Sequence, residues 1–179
     1  MATVEGGVIS QFGDGISDQD RLFISDILTD LGATDSTDFF QVQTFTETLP
    51  GAVRFALLQA GVDGVTGAAD ENFLIGNSSA NIMNGGAGAD TIFSVDGDDI
   101  VFGGSERDVI YGGAGDDSFS GDNGDDQIYG NAGDDFIDID NGDDSQFGGQ
   151  GNDTIISGAG DIAFGNKGTD LLFGDGAPS

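Results

Sequence analysis

Apolar residues keep two different rhythms along this chain. Near the start, Ile24, Ile27, Leu28 and Leu31 recur at i, i+3, i+4 and i+7, the stripe of an amphipathic helix. Ser17 is placed to cap that helix, Asp20 follows in capping-box position and Gly32 closes it, so a helix is expected over about 18–31. Its stripe packs on its own domain or docks a partner. Phe39–Thr46 is then aromatic and β-branched, Leu49-Pro50-Gly51 turns the chain, and Ala52–Leu58 resumes an apolar run. The two runs read as a hairpin over about 38–58, although Ala52–Ala60 also fits a helix.

From Gly76 to Phe173 the second rhythm takes over, with one large side chain returning at a nine-residue spacing. Met83, Ile92, Val101, Ile110, Phe119, Ile128, Ile137, Ile155 and Leu172 keep this beat, and Gln146 and Ala163 stand in the same place. Each is the centre of a short strand and is expected to point inward, because successive strand residues face opposite sides. The core is then a ladder of single side chains. The last strand residue is often aromatic (Phe93, Phe102, Tyr111, Tyr129, Phe147, Phe164, Phe173) and is expected outside, stacked along the molecule. Leu58–Thr66 and Gly67–Ile75 carry the beat faintly, with Val65 and Leu74 in phase.

The residues between strands are glycine-rich, as turns with φ > 0 require. Where the second glycine is replaced, Asn77, Asp122, Asn131, Asp140 and Asn166 are residue types that tolerate the left-handed region. Val95 is not, and a distorted turn is expected there. The sixth position is acidic: Asp90, Asp99, Asp108, Asp117, Asp126, Asp135, Asp144, Asp153, Asp161 and Asp170, with Asn81 in the first clear unit. Units such as Gly112-Gly113-Ala114-Gly115-Asp116-Asp117-Ser118-Phe119-Ser120 thus read G-G-x-G-x-D-x-U-x, with U large and apolar. Irregular units carry Glu106 at the fourth position, Gln146 at a core site, and one residue too few in Ser157–Phe164. A weaker or bent stretch is expected from about 139 to 165, and a buried Gln146 must find hydrogen-bond partners.

Charge sharpens the picture. With 33 Asp and Glu against 4 Lys and Arg, the net charge is −29. Nucleic acid and anionic membranes are repelled by such a chain, and no run of about 20 apolar residues exists to insert in a bilayer. There is no cysteine and no histidine, which removes disulfides, thiolate sites and the commonest general base. A thin core and stacked carboxylates cannot offset backbone entropy unless a cation intervenes.

This nonapeptide resembles that of the RTX (hemolysin-type) calcium-binding proteins. The resemblance implies a right-handed parallel β-roll with a small N-terminal α+β cap. It divides the chain into a cap over 1–57, a degenerate first coil over 58–75, the roll over 76–173 and a tail over 174–179. Two units make one coil, so turns two units apart stack with several Ca2+ ions between them. One flank would hold Asp90, Asp108, Asp126, Asp144 and Asp161, the other Asp99, Asp117, Asp135, Asp153 and Asp170. Calcium is a hard cation that takes oxygen ligands, which aspartates and glycine-rich carbonyls supply.

The function expected is a secreted or cell-surface module that folds on calcium and assembles head to tail with copies of itself or with other surface proteins. An accessory module of a secreted enzyme, holding neutral glycan on its aromatic stripe, is the alternative. Catalysis is not expected, because the repeat accounts for nearly every aspartate. The start, Met1-Ala2-Thr3-Val4-Glu5, has neither a basic nor an apolar signal region, which fits a type I export route. The short tail after Phe173 implies an atypical export segment or a piece of a longer protein.

Overall fold

A computed structural model describes residues 40–42, 47–48, 55–58, 60–138 and 141–174. The helix expected over about 18–31 lies outside these residues. In chain order the strands are β1 (Phe40–Val42), β2 (Glu47–Thr48), β3 (Phe55–Leu58), β4 (Gly64–Thr66), β5 (Phe73–Ile75), β6 (Ile82–Ala87), β7 (Thr91–Asp96) and β8 (Ile100–Ser105). They continue as β9 (Val109–Ala114), β10 (Ser118–Asn123), β11 (Gln127–Ala132), β12 (Phe136–Asp138), β13 (Ser145–Gln150), β14 (Thr154–Ser157), β15 (Ile162–Lys167) and β16 (Leu171–Gly174).

Odd-numbered strands form one 8-stranded sheet and even-numbered strands the other. All pairs are parallel, as in Thr91↔Val109 and Ser118↔Phe136. Successive strands therefore alternate between sheets, and each coil consumes two nonapeptides. A parallel β-roll follows directly from the period: a turn every nine residues sends the chain to the facing sheet and back.

The expected hairpin is not formed. β1 and β3 are neighbours in one sheet, but they run parallel, Phe40↔Ala56 to Val42↔Leu58, with β2 between them in the facing sheet. The runs of strand residues are where the sequence places them. Their partnering differs because Glu47–Thr48, too short and polar to read as a strand, carries the chain across the roll.

Between the sheets lies the single-file core. Val65, Leu74, Met83, Ile92, Val101, Ile110, Phe119, Ile128, Ile137 and Ile155 are all buried. Ala163 packs against this file only partly buried, and Leu172, the last of the beat, is 46% exposed because no described coil covers it. On the outer face of the odd sheet the aromatic row stacks as expected. Ring centroids are 4.6 Å apart for Phe93–Tyr111, 5.0 Å for Tyr111–Tyr129, 5.0 Å for Tyr129–Phe147 and 5.4 Å for Phe147–Phe164. Interplanar angles of 9°, 8°, 4° and 11° turn the ring faces toward one another. No helix among the described residues is long and apolar enough to cross a membrane.

Candidate metal centres

Two different demands hold glycine in the turns. At the second and fourth positions the demand is conformational: Gly113 has φ 123° and Gly115 φ 133°. Asp122 (65°), Asn131 (77°) and Asn166 (74°) take the same region, as their residue types allow. Val95 does too, at φ 91°, so its turn is not distorted; the strain falls on the residue instead, and Val95 still pairs with Gly113. Asn77 departs from the expectation. Its φ is not positive, and its Nδ2 donates to the Val62 carbonyl at 2.7 Å.

At the first position the demand is room. A Cβ on Gly103 would stand 2.5 Å from Asp108 Oδ2 and 2.8 Å from the Gly121 carbonyl oxygen. On Gly112 it would stand 2.6 Å from the Gly130 oxygen and 2.7 Å from Asp117 Oδ2. Gly85, Gly103, Gly112 and Gly130 each leave a carboxylate oxygen and a carbonyl oxygen of the next coil beside the space a Cβ would fill. Ser94, which replaces that glycine in its unit, donates its hydroxyl to the Gly112 carbonyl at 2.9 Å.

The sixth-position aspartates form two files, one on each flank. Each Asp N–H donates to the Oδ1 of the aspartate one coil on. On one flank Asp90 donates to Asp108, Asp108 to Asp126 and Asp126 to Asp144, at 2.7–2.8 Å. On the other, Asp99 donates to Asp117, Asp117 to Asp135 and Asp135 to Asp153, at 2.8–3.0 Å. The main-chain carbonyls of these residues are taken by the ladder, as in Val109 N–H to Asp90 O and Ser118 N–H to Asp99 O. What is left over is Oδ2. In Asp90, Asp99, Asp108, Asp117, Asp126, Asp135 and Asp153 it is buried without a hydrogen-bond partner.

A buried carboxylate oxygen with nothing to bind it is costly. Burial accordingly drives the carboxyl groups toward the proton. It pushes Asp99 and Asp108 up to about 8, Asp90, Asp117 and Asp135 to about 7, and Asp126 to about 6. The N–H of the preceding aspartate or asparagine opposes the shift, and neighbouring acids add to it. Asp144 and Asp153 move in the same direction for the same reasons. A cation beside these oxygens reverses the balance, and the donors present, one carboxylate oxygen and glycine carbonyls, suit a hard ion. Among the described residues no three His, Cys, Asp or Glu side chains gather at one point. Acidic side chains alone therefore do not make a coordination shell there, and backbone carbonyls or water would have to contribute to one.

Sequence reasoning missed a second row. Fifth-position residues form their own exposed ladder, Asp116 N–H to Asp98 Oδ1 at 3.0 Å, Asp134 N–H to Asp116 Oδ1 at 2.8 Å and Asn152 N–H to Asp134 Oδ1 at 2.7 Å. These hydrogen bonds run opposite in sense to the inner files. The doubled Asp98-Asp99, Asp116-Asp117 and Asp134-Asp135 were the available signal. The candidates at the C-terminal end stand apart: Asp161 and Asp170 are only half-buried, and neither leaves an orphaned Oδ2.

The family model of the RTX calcium-binding nonapeptide repeat matches the chain in four copies, over residues 66–101, 93–128, 111–146 and 147–177. No curated protein and no solved structure matches it.

Proposed function

This chain belongs to the RTX calcium-binding nonapeptide-repeat family and is a calcium-binding module; from that premise we propose that it folds on the ion outside the cell and stacks end to end. The observation that carries the reading is the pair of Asp files with seven buried, unpartnered Oδ2 atoms. Asp90, Asp108, Asp126 and Asp144 on one flank, and Asp99, Asp117, Asp135, Asp153 and Asp170 on the other, would hold Ca2+ together with turn carbonyls. The ion would supply the positive charge that four basic residues against 33 acids cannot. Binding energy then becomes folding energy.

Extracellular modules of this kind bind at about 10⁻⁴–10⁻³ M calcium. Chain held at far lower calcium inside a cell would stay unfolded, a state suited to passage through a type I exporter. Support for end-to-end stacking comes from the C-terminal coil. β15 and β16 are the last described strands of their sheets, and Phe164, Leu172 and Phe173 are about half exposed there. Among the described residues no strand pairs with the outer side of β15 or β16, and an edge and half-exposed core of that kind are what a second copy would cover.

The neutral-glycan alternative needs free ring faces, and the aromatic row spends its faces on one another. The β-roll is a structural calcium-binding architecture rather than a catalytic one.

Circular dichroism of the full chain through a calcium titration tests the folding claim. A β signal that appears only with calcium is expected; an unchanged fold in chelator rules it out. Light scattering at saturating calcium tests stacking, and a strict monomer at high protein concentration ends that part.

A further inference from the structure

Gln146 occupies a place that every neighbouring coil gives to an apolar residue. In the odd sheet it lies between Ile128 and Ala163, and it is fully buried. A buried carboxamide destabilises a core unless both its ends are bonded. Here they are. Nε2 donates to Asp161 Oδ2 at 3.1 Å, and Oε1 accepts from the Ser157 hydroxyl at 2.9 Å.

Asp161 is as well served as the seven aspartates with a buried, unpartnered Oδ2 are neglected. Its Oδ1 accepts the Asp144 N–H at 3.0 Å, continuing the file. Its Oδ2 accepts from Gln146 and also from the Gly158 N–H at 2.6 Å. The unit Ser157–Phe164 is one residue short, and Gly158 stands only three residues before the carboxylate it serves. The core fault and the shortened turn, unrelated as sequence irregularities, thus meet on one oxygen.

The other end of the files repeats the theme. Asn72 and Asn81 stand where aspartates would, donating their N–H groups to Asp90 and Asp99 Oδ1. The amide of Asn81 is turned inward, accepting from Asn77 N–H at 2.8 Å and donating to Asn77 Oδ1 at 3.3 Å. A neutral amide, unlike a carboxylate, needs no cation.

We infer that Gln146, Ser157 and the Gly158 turn form an internal clasp that replaces a calcium ion at Asp161. The ion file on the Asp90–Asp144 flank stops at Asp144, and the last coil on that side closes on protein hydrogen bonds alone. Gln146 is a positioning residue that sets where metal binding ends. The inference rests on the calcium reading above, and its test separates the two.

Native mass spectrometry of the full chain, counting bound calcium, is the direct experiment. Asp161→Asn is expected to bind as many ions as the unmodified chain, while Asp117→Asn loses one. Loss of an ion in Asp161→Asn overturns the clasp. Anomalous diffraction from crystals of the unmodified chain grown with calcium needs no substitution. Peaks beside Asp108, Asp117, Asp126 and Asp135 with none at Asp161 are expected. A peak bonded to Asp161 Oδ2 defeats the clasp and leaves the calcium reading intact; no peak beside any of these aspartates defeats the calcium reading itself.

Discussion

The middle of the roll and its C-terminal coil are built from one repeat and satisfy it in opposite ways. Around Asp108, Asp117, Asp126 and Asp135 the core is purely apolar, with Ile110, Phe119, Ile128 and Ile137 buried, and the acids are left with orphaned oxygens. Around Asp161 the core contains an amide, the acid is bonded twice over, and Ile162, Phe164, Leu171, Leu172 and Phe173 face water. The middle is apolar and regular and, on the function proposed above, would depend on an outside ion. The end is exposed and irregular, and at Asp161 both carboxylate oxygens are bonded. On the inference above, the nonapeptide is a shape that two chemistries can close, with Gln146, Ser157 and the short Gly158 turn taking the ion's place at Asp161.

The strongest way to break this comparison is to remove the ion. In chelator at neutral pH the regular coils are expected to lose their β signal entirely, as followed by circular dichroism. Survival of the middle coils would show that their acids are closed by something else.

Acid offers a second route to the same acids. Folded carboxyls at about 6–8 stand above the ordinary 3.8, so the folded chain holds more protons than the unfolded one between those values. Their contribution to stability is fully present below about pH 4 and is lost as pH rises through 6–8. Chain dialysed free of divalent ions is therefore expected to regain β signal near pH 4 and to melt as the pH climbs. A metal-free fold that strengthens with rising pH contradicts the assignment of these aspartates.

Core truncation sharpens the contrast more gently. With calcium bound, Ile128→Ala empties a site enclosed on all sides and is expected to cost about 2–5 kcal/mol in denaturant melts. At protein concentrations too low for stacking, Leu172→Ala removes a side chain already 46% exposed and is expected to cost less than about 1 kcal/mol. Equal costs in the dilute, unstacked chain would mean that the last coil is covered within a single copy.

The smallest effect concerns strain. Val95 holds φ 91° where its cross-strand partner in the next coil is Gly113. Strain of this kind costs about 1–3 kcal/mol, and glycine gives back part of the relief as chain entropy. Val95→Gly is expected to raise stability by about 1 kcal/mol, read as a higher melting temperature with calcium present.

Much of this architecture was legible beforehand. One buried side chain per nine residues is visible because nothing else in the unit competes to be inside. The phase of the aspartates likewise foretold both files. Three things were not legible, each for a physical reason. Parallel pairing of β1 with β3 depends on Glu47–Thr48, a two-residue strand too short for any alternation to be read. The need for glycine at positions such as Gly103 and Gly112 comes from a neighbouring coil, which local turn chemistry does not contain. The fate of Gln146 could be posed as a question of partners, but Ser157 and Asp161 become its partners only once the short unit has wrapped.

The stacked aromatic row leaves the protein with its own optical reporter. The chain has no tryptophan and only two tyrosines, and these are neighbours in the stack at 5.0 Å with nearly parallel rings. Their coupled absorption and emission arise from one coil step in the centre of the molecule. Ultraviolet spectroscopy of the unlabelled chain can therefore watch that step close, without a fluorophore and without disturbing a single turn.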